Sequence, residues 1–261
     1  MVDLSPRKVS QDDVGLIEGF IRSIVSKGGF NGVVLGLSGG VDSVVVSTLC
    51  TRALGGDVVH NVFLPADSTP KDDWDLTSRL SRELGTKYEI IPIQGIIDSF
   101  SIALHLDNEE ILRKGNIAAR CRMAILFDYA KKHGCIVAGT SNKSEMMMGY
   151  FTKFGDGASD FMPIVGLYKT QVWDVARMLE IPSEIVDRAP SASLWDGQTD
   201  EGDMGISYLR LDEILNGMSK SLDDSEIAGI LGLSTFEVLA IRNRVRDMGH
   251  KGSPTPALKF E

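Results

Sequence analysis

The sequence predicts an α/β fold, an open parallel sheet with helices on both faces, followed by a helical C-terminal region. Three observations lead there. Short apolar runs such as Val33-Val34-Leu35 and Cys135 to Ala138 alternate with segments of helical spacing, the pattern of βαβ units joined by right-handed crossovers. A Ser/Gly-rich turn, Gly36 to Ser43, sits where the first run meets a helix. After residue 140 the alternation stops, and the tail, 207–248, reads as helical.

The elements follow in order. Val14, Ile17, Ile21 and Ile24 give one apolar face to a helix over 11–27. The first strand is expected at 32–37, and the next helix at 42–54, ended by Gly55-Gly56. Val58 to Leu64 is a second strand closed by Pro65, and 71–85 a helix ending at Gly85. Tyr88 to Ile93 is a third strand. Helices follow at 95–105 and 108–132, the second stopped before Gly134, and Cys135 to Gly139 is a fourth strand. Residues 149–168 lack clean periodicity and read as a long functional loop. A helix is expected at 169–179, then a second turn-rich stretch at 188–206. Ser225 and Ser234 are caps or near-caps in the tail, and Gly252 to Pro256 is extended. The expected organisation is one domain over 1–261, with an α/β core at 11–206 and a helical region at 207–261. Ligands of such sheets lie at the carboxyl ends of strands, where the Ser38 loop, Pro65 to Ser68, Gln94 and Thr140 fall.

Bulk properties narrow the function. A composition 43% hydrophobic supports a sizeable core. The net charge of −9 argues against general nucleic-acid or anionic-membrane binding, so a polyanion must be held by local Lys, Arg and backbone N–H groups. Cys50, Cys121 and Cys135 have neither zinc-site nor disulfide spacing and read as buried free thiols. With no leader pattern and no run approaching a membrane span, a soluble cytoplasmic protein is expected.

Gly36-Leu37-Ser38-Gly39-Gly40-Val41-Asp42-Ser43 carries the most chemistry. Unpaired N–H groups at a helix N-terminus, with the helix dipole, form a phosphate socket. Ser38 and Ser43 add hydroxyls, and Gly39 and Gly40 admit an anion without a Cβ in the way. The loop lacks the Lys of the common phosphate loop and does not read Gly-x-Gly-x-x-Gly. Asp42 beside phosphates implies a divalent cation between them. Glu145 is a candidate second oxygen ligand, set against its reading as a dipole-favoured first-turn residue. Lys169 heads a helix, where the dipole disfavours it unless an anion is near. Arg120 and Arg122 point to different faces of one helix, so one can reach a carboxylate or phosphate. Tyr150 to Asp160 reads equally as a solvated loop with an apolar anchor or as a ligand-covering loop that stacks its aromatics on a planar ring.

Ser38-Gly39-Gly40-x-Asp42-Ser43 resembles the pyrophosphate-binding loop of the N-type ATP pyrophosphatases. Further segments resemble ammonia-dependent NAD(+) synthetase: Asn116-x-x-x-Arg120-x-Arg122-Met123, Gly139-Thr140-x-Asn142-Lys143-x-Glu145, Gly149 to Gly157, Leu167 to Val172, Pro190-Ser191-Ala192-x-Leu194, Gln198 to Glu201 and His250-Lys251. The resemblance implies an adenine nucleotide alpha hydrolase-like, Rossmann-like sheet and a reaction. ATP adenylates the nicotinate carboxylate of deamido-NAD, pyrophosphate leaves, and ammonia attacks the acyl-adenylate to give NAD and AMP. It implies that residues Gly36 to Ser43, with Thr140, Lys169 and Ser191, contact ATP, that Asp42 and Lys169 are catalytic, and that Asp42 and Glu145 bind Mg²⁺. It implies that Arg120, Lys153, Asp160, His250 and Lys251 contact deamido-NAD, bound across a homodimer interface. No glutaminase domain is expected, so free ammonia is the expected nitrogen source. After Lys251 the chain reads Gly252-Ser253, where many relatives have another basic residue. Two rivals remain: a member of the same superfamily, either a GMP synthetase or a tRNA-modifying enzyme, the latter disfavoured by the acidic chain and its unpaired cysteines, and a nucleotide-sensing module, disfavoured by the second metal carboxylate.

Overall fold

The computed structural model describes residues 3–107, 109–191 and 197–258. Its sheet is four-stranded and parallel among the described residues, in the order β3-β2-β1-β4: β1 Val33–Gly36, β2 Val59–Phe63, β3 Lys87–Ile90 and β4 Ile136–Val137. Val33 pairs with Val59 on one side and Ile136 on the other. Val33, Val34 and Leu35 are all fully buried, as a strand covered on both faces must be. β3 is the edge, largely exposed, and carries Lys87 and Glu89, charges that discourage further strand pairing.

Helices α1 (Gln11–Gly28), α2 (Val41–Leu54), α3 (Asp72–Glu83), α4 (Gln94–Ala103) and α5 (Ile111–His133) follow the expected order. α1 starts at a capping box made by Ser10 and Asp13 and ends at Gly29, φ 66°. α2 has a nearly continuous buried run from Ser43 to Cys50, the mark of a helix enclosed on all sides. It opens at Val41 with Gly40 as N-cap, one residue before the expected Asp42. One face of the sheet packs against α1 and α2 through residues such as Val14, Ile21, Val45 and Leu49. The other packs against α4 and α5 through Val34, Val62, Ile97 and Tyr129.

All four strands are shorter than expected, and for β3 and β4 the cause is visible. β3 stops before Pro92, which has no N–H to give, although Ile91 N–H still donates to Phe63 O at 2.9 Å. β4 is only two residues long, because Gly139 N–H turns to Phe161 O at 2.8 Å. Phe161, inside the stretch expected to be irregular, thereby forms a parallel bridge with Ala138.

Beyond the sheet come α6 (Lys143–Met148), α7 (Lys169–Met178), α8 (Ser183–Val186), α9 (Asp200–Met204), α10 (Tyr208–Ser219), α11 (Asp224–Leu231) and α12 (Thr235–Gly252). The turn-rich 188–206 stretch thus contains α9, started by Thr199, whose hydroxyl accepts from Gly202 N–H. The tail is three helices, interrupted where Ser221 and Gly232 take positive φ. Ser234 caps α12, while Asp223 rather than Ser225 caps α11. These helices share a second core of Leu4, Met148, Tyr208, Leu211, Ile214, Ile227 and Val238, and Trp173 packs against both this core and the α1–α2 core.

Candidate active site

The site begins where β1 hands over to α2. Its hydroxyls are already committed within the loop. Ser38 N–H donates to Ser43 Oγ at 3.2 Å, Gly40 N–H to Ser38 Oγ at 3.3 Å, and Ser43 Oγ to Gly40 O at 2.8 Å. Gly39 has φ 87°, and a Cβ there would lie 3.3 Å from Asp73 Oδ1 and Leu76 Cδ2. Backbone conformation and space both call for glycine.

Three charged side chains converge beside the loop. Lys169 Nζ donates to Asp42 Oδ2 and lies 3.8 Å from Glu145 Oε1. Asn142 Nδ2 donates to the other Asp42 oxygen at 3.0 Å. Asn142 also caps α6: Glu145 N–H donates to its Oδ1 at 3.0 Å, and Glu145 Oε2 accepts from Asn142 N–H at 3.2 Å. Glu145 is therefore the capping-box residue of α6 and at the same time a carboxylate lining the cleft. Lys169 is the first residue of α7 and only 2% exposed. The carboxylates supply the anion that its position at a helix N-terminus requires. Burial opposes its charge, but Asp42 and Glu145 outweigh burial and hold Lys169 above the ordinary lysine range. Burial, then the neighbouring Asp42, pushes Glu145 well above the usual carboxylate range.

Asp200 stands nearby, 5% exposed, with its pKa raised by burial against the pull of Lys169. Its Oδ2 accepts from Tyr208 Oη–H at 3.1 Å, while its buried Oδ1 has no hydrogen-bond partner. These oxygens suit a hard divalent cation that fills its shell with phosphates and water. Among the described residues no cluster of three or more His, Cys, Asp or Glu could hold a metal unaided. The carboxylates gathered around Lys169 are what a bound divalent cation would neutralise.

The surrounding cleft has a volume of about 560 Å³. Gly36, Leu37, Ser38, Gly40, Val41, Asp42 and Ser43 line it, as do Thr140, Glu145, Lys169, Ser191 and Lys251. Gly39 sits behind the loop against Asp73. Ala192 and Leu194 of the Pro190 motif lie outside the described residues. The other expected acceptor contacts, Arg120, Lys153, Asp160 and His250, are not among the lining residues of the single chain. Arg120, Lys153 and His250 are linked to one another, and Asp160 is bonded to β4. Arg120 Nη2 donates to Lys153 O at 3.4 Å, Lys153 Nζ donates to His250 O at 2.8 Å, and Asp160 accepts from Val137 N–H at 2.8 Å.

The loop after α6 has one part in the cleft and one in solvent. Tyr150 and Phe151 line the cleft, while Phe154 is 60% exposed. Lys251 Nζ holds the loop through Gly149 O at 2.7 Å and Phe151 O at 2.9 Å. Tyr150 Oη–H donates to Asp203 Oδ2 at 2.7 Å, which also accepts from Gln198 Nε2 at 2.7 Å. Of the two arginines on α5, Arg122 faces the cleft, with Nε on Leu64 O at 3.0 Å, and Arg120 is exposed. Sequence reasoning missed Asp73, Arg188, Asp203 and Arg244, all cleft residues. Arg188 pairs with Asp73 through both guanidinium nitrogens. Nothing local in the sequence marks this pair, whose members stand 115 positions apart.

Among the described residues no helix is long and apolar enough to cross a membrane. The family model NAD synthase matches residues 14–255. The NH(3)-dependent NAD(+) synthetase of Methanosarcina mazei is 41% identical over 91% of this chain and 93% of its own length. A solved NH3-dependent NAD synthetase from Campylobacter jejuni superposes with a TM-score of 0.80 at 31% identity, covering 99% of this chain and all of that one, 100%. An NMN synthetase from Francisella tularensis superposes at 0.84, with 32% identity over 97% of this chain and 100% of its own. Around a Ser/Gly loop continuous with a Lys169–Asp42–Glu145 cluster, similarity along nearly the whole chain establishes that this protein belongs to the NAD synthase family.

Proposed function

We propose that this chain is an ammonia-dependent NAD(+) synthetase that couples ATP cleavage to amidation of deamido-NAD, giving NAD, AMP and pyrophosphate. The convergence of Lys169, Asp42 and Glu145 beside the Ser38–Ser43 loop carries the reading. The loop N–H groups receive the β- and γ-phosphates. The nicotinate carboxylate of deamido-NAD attacks the α-phosphorus, the bond to the pyrophosphate oxygen breaks, and ammonia then displaces AMP from the acyl-adenylate. Asp42 and Glu145 would hold Mg²⁺, which supplies charge neutralisation for the departing pyrophosphate. The Lys169 ammonium, beside the loop, would meet the negative charge that develops on the phosphates in the transition state. Tyr150 and Phe151 offer aromatic surface to the acceptor.

The acceptor contacts on the outer side of the loop fit a homodimer in which Arg120 serves the partner's ligand. α4 and the start of α5 present Phe100, Leu104 and Leu112 to solvent, and Leu112 also lines the cleft. Three buried free thiols suit a reducing cytoplasm. The test is pyrophosphate release with ATP, Mg²⁺, ammonia and one acceptor at a time: deamido-NAD, nicotinate mononucleotide or XMP. Release with deamido-NAD supports the proposal. Preference for nicotinate mononucleotide assigns the activity named for the Francisella relative instead, and release with XMP alone sinks both readings.

A further inference from the structure

The C-terminal helical region places one buried carboxylate behind the two helix starts that carry Glu145 and Lys169. Asp212, on α10, is fully buried, and its partners are a hydroxyl and a backbone amide. Ser144 Oγ–H donates to Asp212 Oδ1 at 2.5 Å, and Thr170 N–H donates to Oδ2 at 2.9 Å. Ser144 Oγ in turn accepts from Lys169 N–H at 2.9 Å. Two of the orphan N–H groups that open α7 therefore end on this carboxylate, one directly and one through a hydroxyl.

The residues at the ends of this chain of hydrogen bonds matter. Ser144 immediately precedes Glu145 in the first turn of α6, and Lys169 is the first residue of α7. Glu145 Oε1 and Lys169 Nζ lie 3.8 Å apart, and the first turns that carry them both bond, directly or through Ser144, to a carboxylate belonging to neither helix. A helical core would fill a purely structural position more cheaply with an apolar side chain, because burying a carboxylate carries a large desolvation penalty. Leu211 and Leu215, its neighbours on α10, fill such positions.

We propose that Asp212 is a positioning residue for ATP cleavage. Through Ser144 and Thr170 it fixes the first turns of α6 and α7 so that Glu145 and Lys169 meet Asp42 in register. This rests on the synthetase reading above, and it assigns a catalytic task to a helical region that contributes Asp212 from outside the cleft.

The test uses full-length Asp212→Asn, Ser144→Ala and the double variant. Steady-state kinetics, Mn²⁺ binding to the ATP complex by electron paramagnetic resonance, and thermal unfolding are measured on each. Each single substitution is expected to lower kcat about 10- to 100-fold, as loss of an outer partner of a metal ligand does. Mn²⁺ binding should weaken alongside, with KM for deamido-NAD unchanged within about twofold, since positioning acts on the chemical step. The double variant should lose no more than the worse single one, because both act through one connected chain. Losses that multiply in the double variant, or a folded Ser144→Ala with kcat and Mn²⁺ binding near wild type, would overturn the assignment. If Asp212→Asn does not fold, Ser144→Ala decides alone. A wild-type protein inactive on deamido-NAD refutes the synthetase reading, while Mn²⁺·ATP binding still reports on the hydrogen-bond chain.

Discussion

Asp42 is held from both sides, by Asn142 Nδ2 at 3.0 Å and by the buried Lys169 ammonium. Asp42→Ala strips that ammonium of its principal partner. Pyrophosphate release should fall by about 100-fold or more, since a carboxylate that would hold the cation neutralising the leaving group is lost. Stability should fall by about 3 kcal/mol, the effect of leaving one member of a buried ion pair uncompensated. A pyrophosphate assay and a denaturant titration read the two effects separately, and retained turnover would remove Asp42 from the chemistry. Far from the cleft, His60 is buried, with Nε2 at 3.3 Å from Lys87 Nζ. Burial first, then Lys87 and His133, pushes its pKa down to about 4. The folded state thus binds this proton more weakly than the unfolded chain, whose histidine titrates near about 6.5. The contribution is whole above that value and is lost as pH falls from about 6.5 toward 4. Denaturant titrations across that range should show the decline, and His60→Gln should flatten it. The residues that sequence reasoning reached share a local signal: a strand-to-helix junction, or a charge at a helix start. Asp73 with Arg188, and Asp212 with Ser144, carried none, because their partners stand 115 and 68 positions away.

Among the elements, α12 shows how a helix end can govern a loop. Its Lys251 donates to Gly149 O and Phe151 O, and burial lowers its pKa against the pull of Asp156. Gly149 has φ 60°, and a Cβ there would meet Met248 Cβ at 2.4 Å, so the helix lies directly on the loop hinge. Lys251→Met should raise KM for deamido-NAD about tenfold, the equivalent of one lost charge-assisted hydrogen bond of roughly 1.4 kcal/mol. KM for ATP should stay within about twofold, because the phosphate socket is held by its own hydroxyls. An equal rise in both would mean that Lys251 supports the whole cleft. α1 was legible nearly to the residue, and the end of α5 as well, though α5 starts three residues later than expected. β4 was not, because the partner that shortens it, Phe161, comes from a loop without periodicity.

At the scale of the molecule, the cleft lies between the sheet's carboxyl edge and a separate helical core, with Asp212 as a hydrogen-bonded link between them. The alternating pattern made the sheet legible, whereas helical spacing in the tail carried no sign of where it docks. The exposed Phe100 and Leu104 predict that the protein runs as a dimer in light scattering, since a stable interface needs about 800 Å² from each partner and an apolar centre. Phe100→Asp should yield a monomer with impaired acceptor use, and a wild-type monomer at assay concentration would refute the shared site. The self-bonded Ser38–Ser43 loop has one more consequence. A socket that keeps its shape without adenosine receives the departing pyrophosphate as readily as the incoming nucleotide. The enzyme should therefore be slowed by its own inorganic product in competition with ATP, and its net direction in solution will depend on whatever hydrolyses that product.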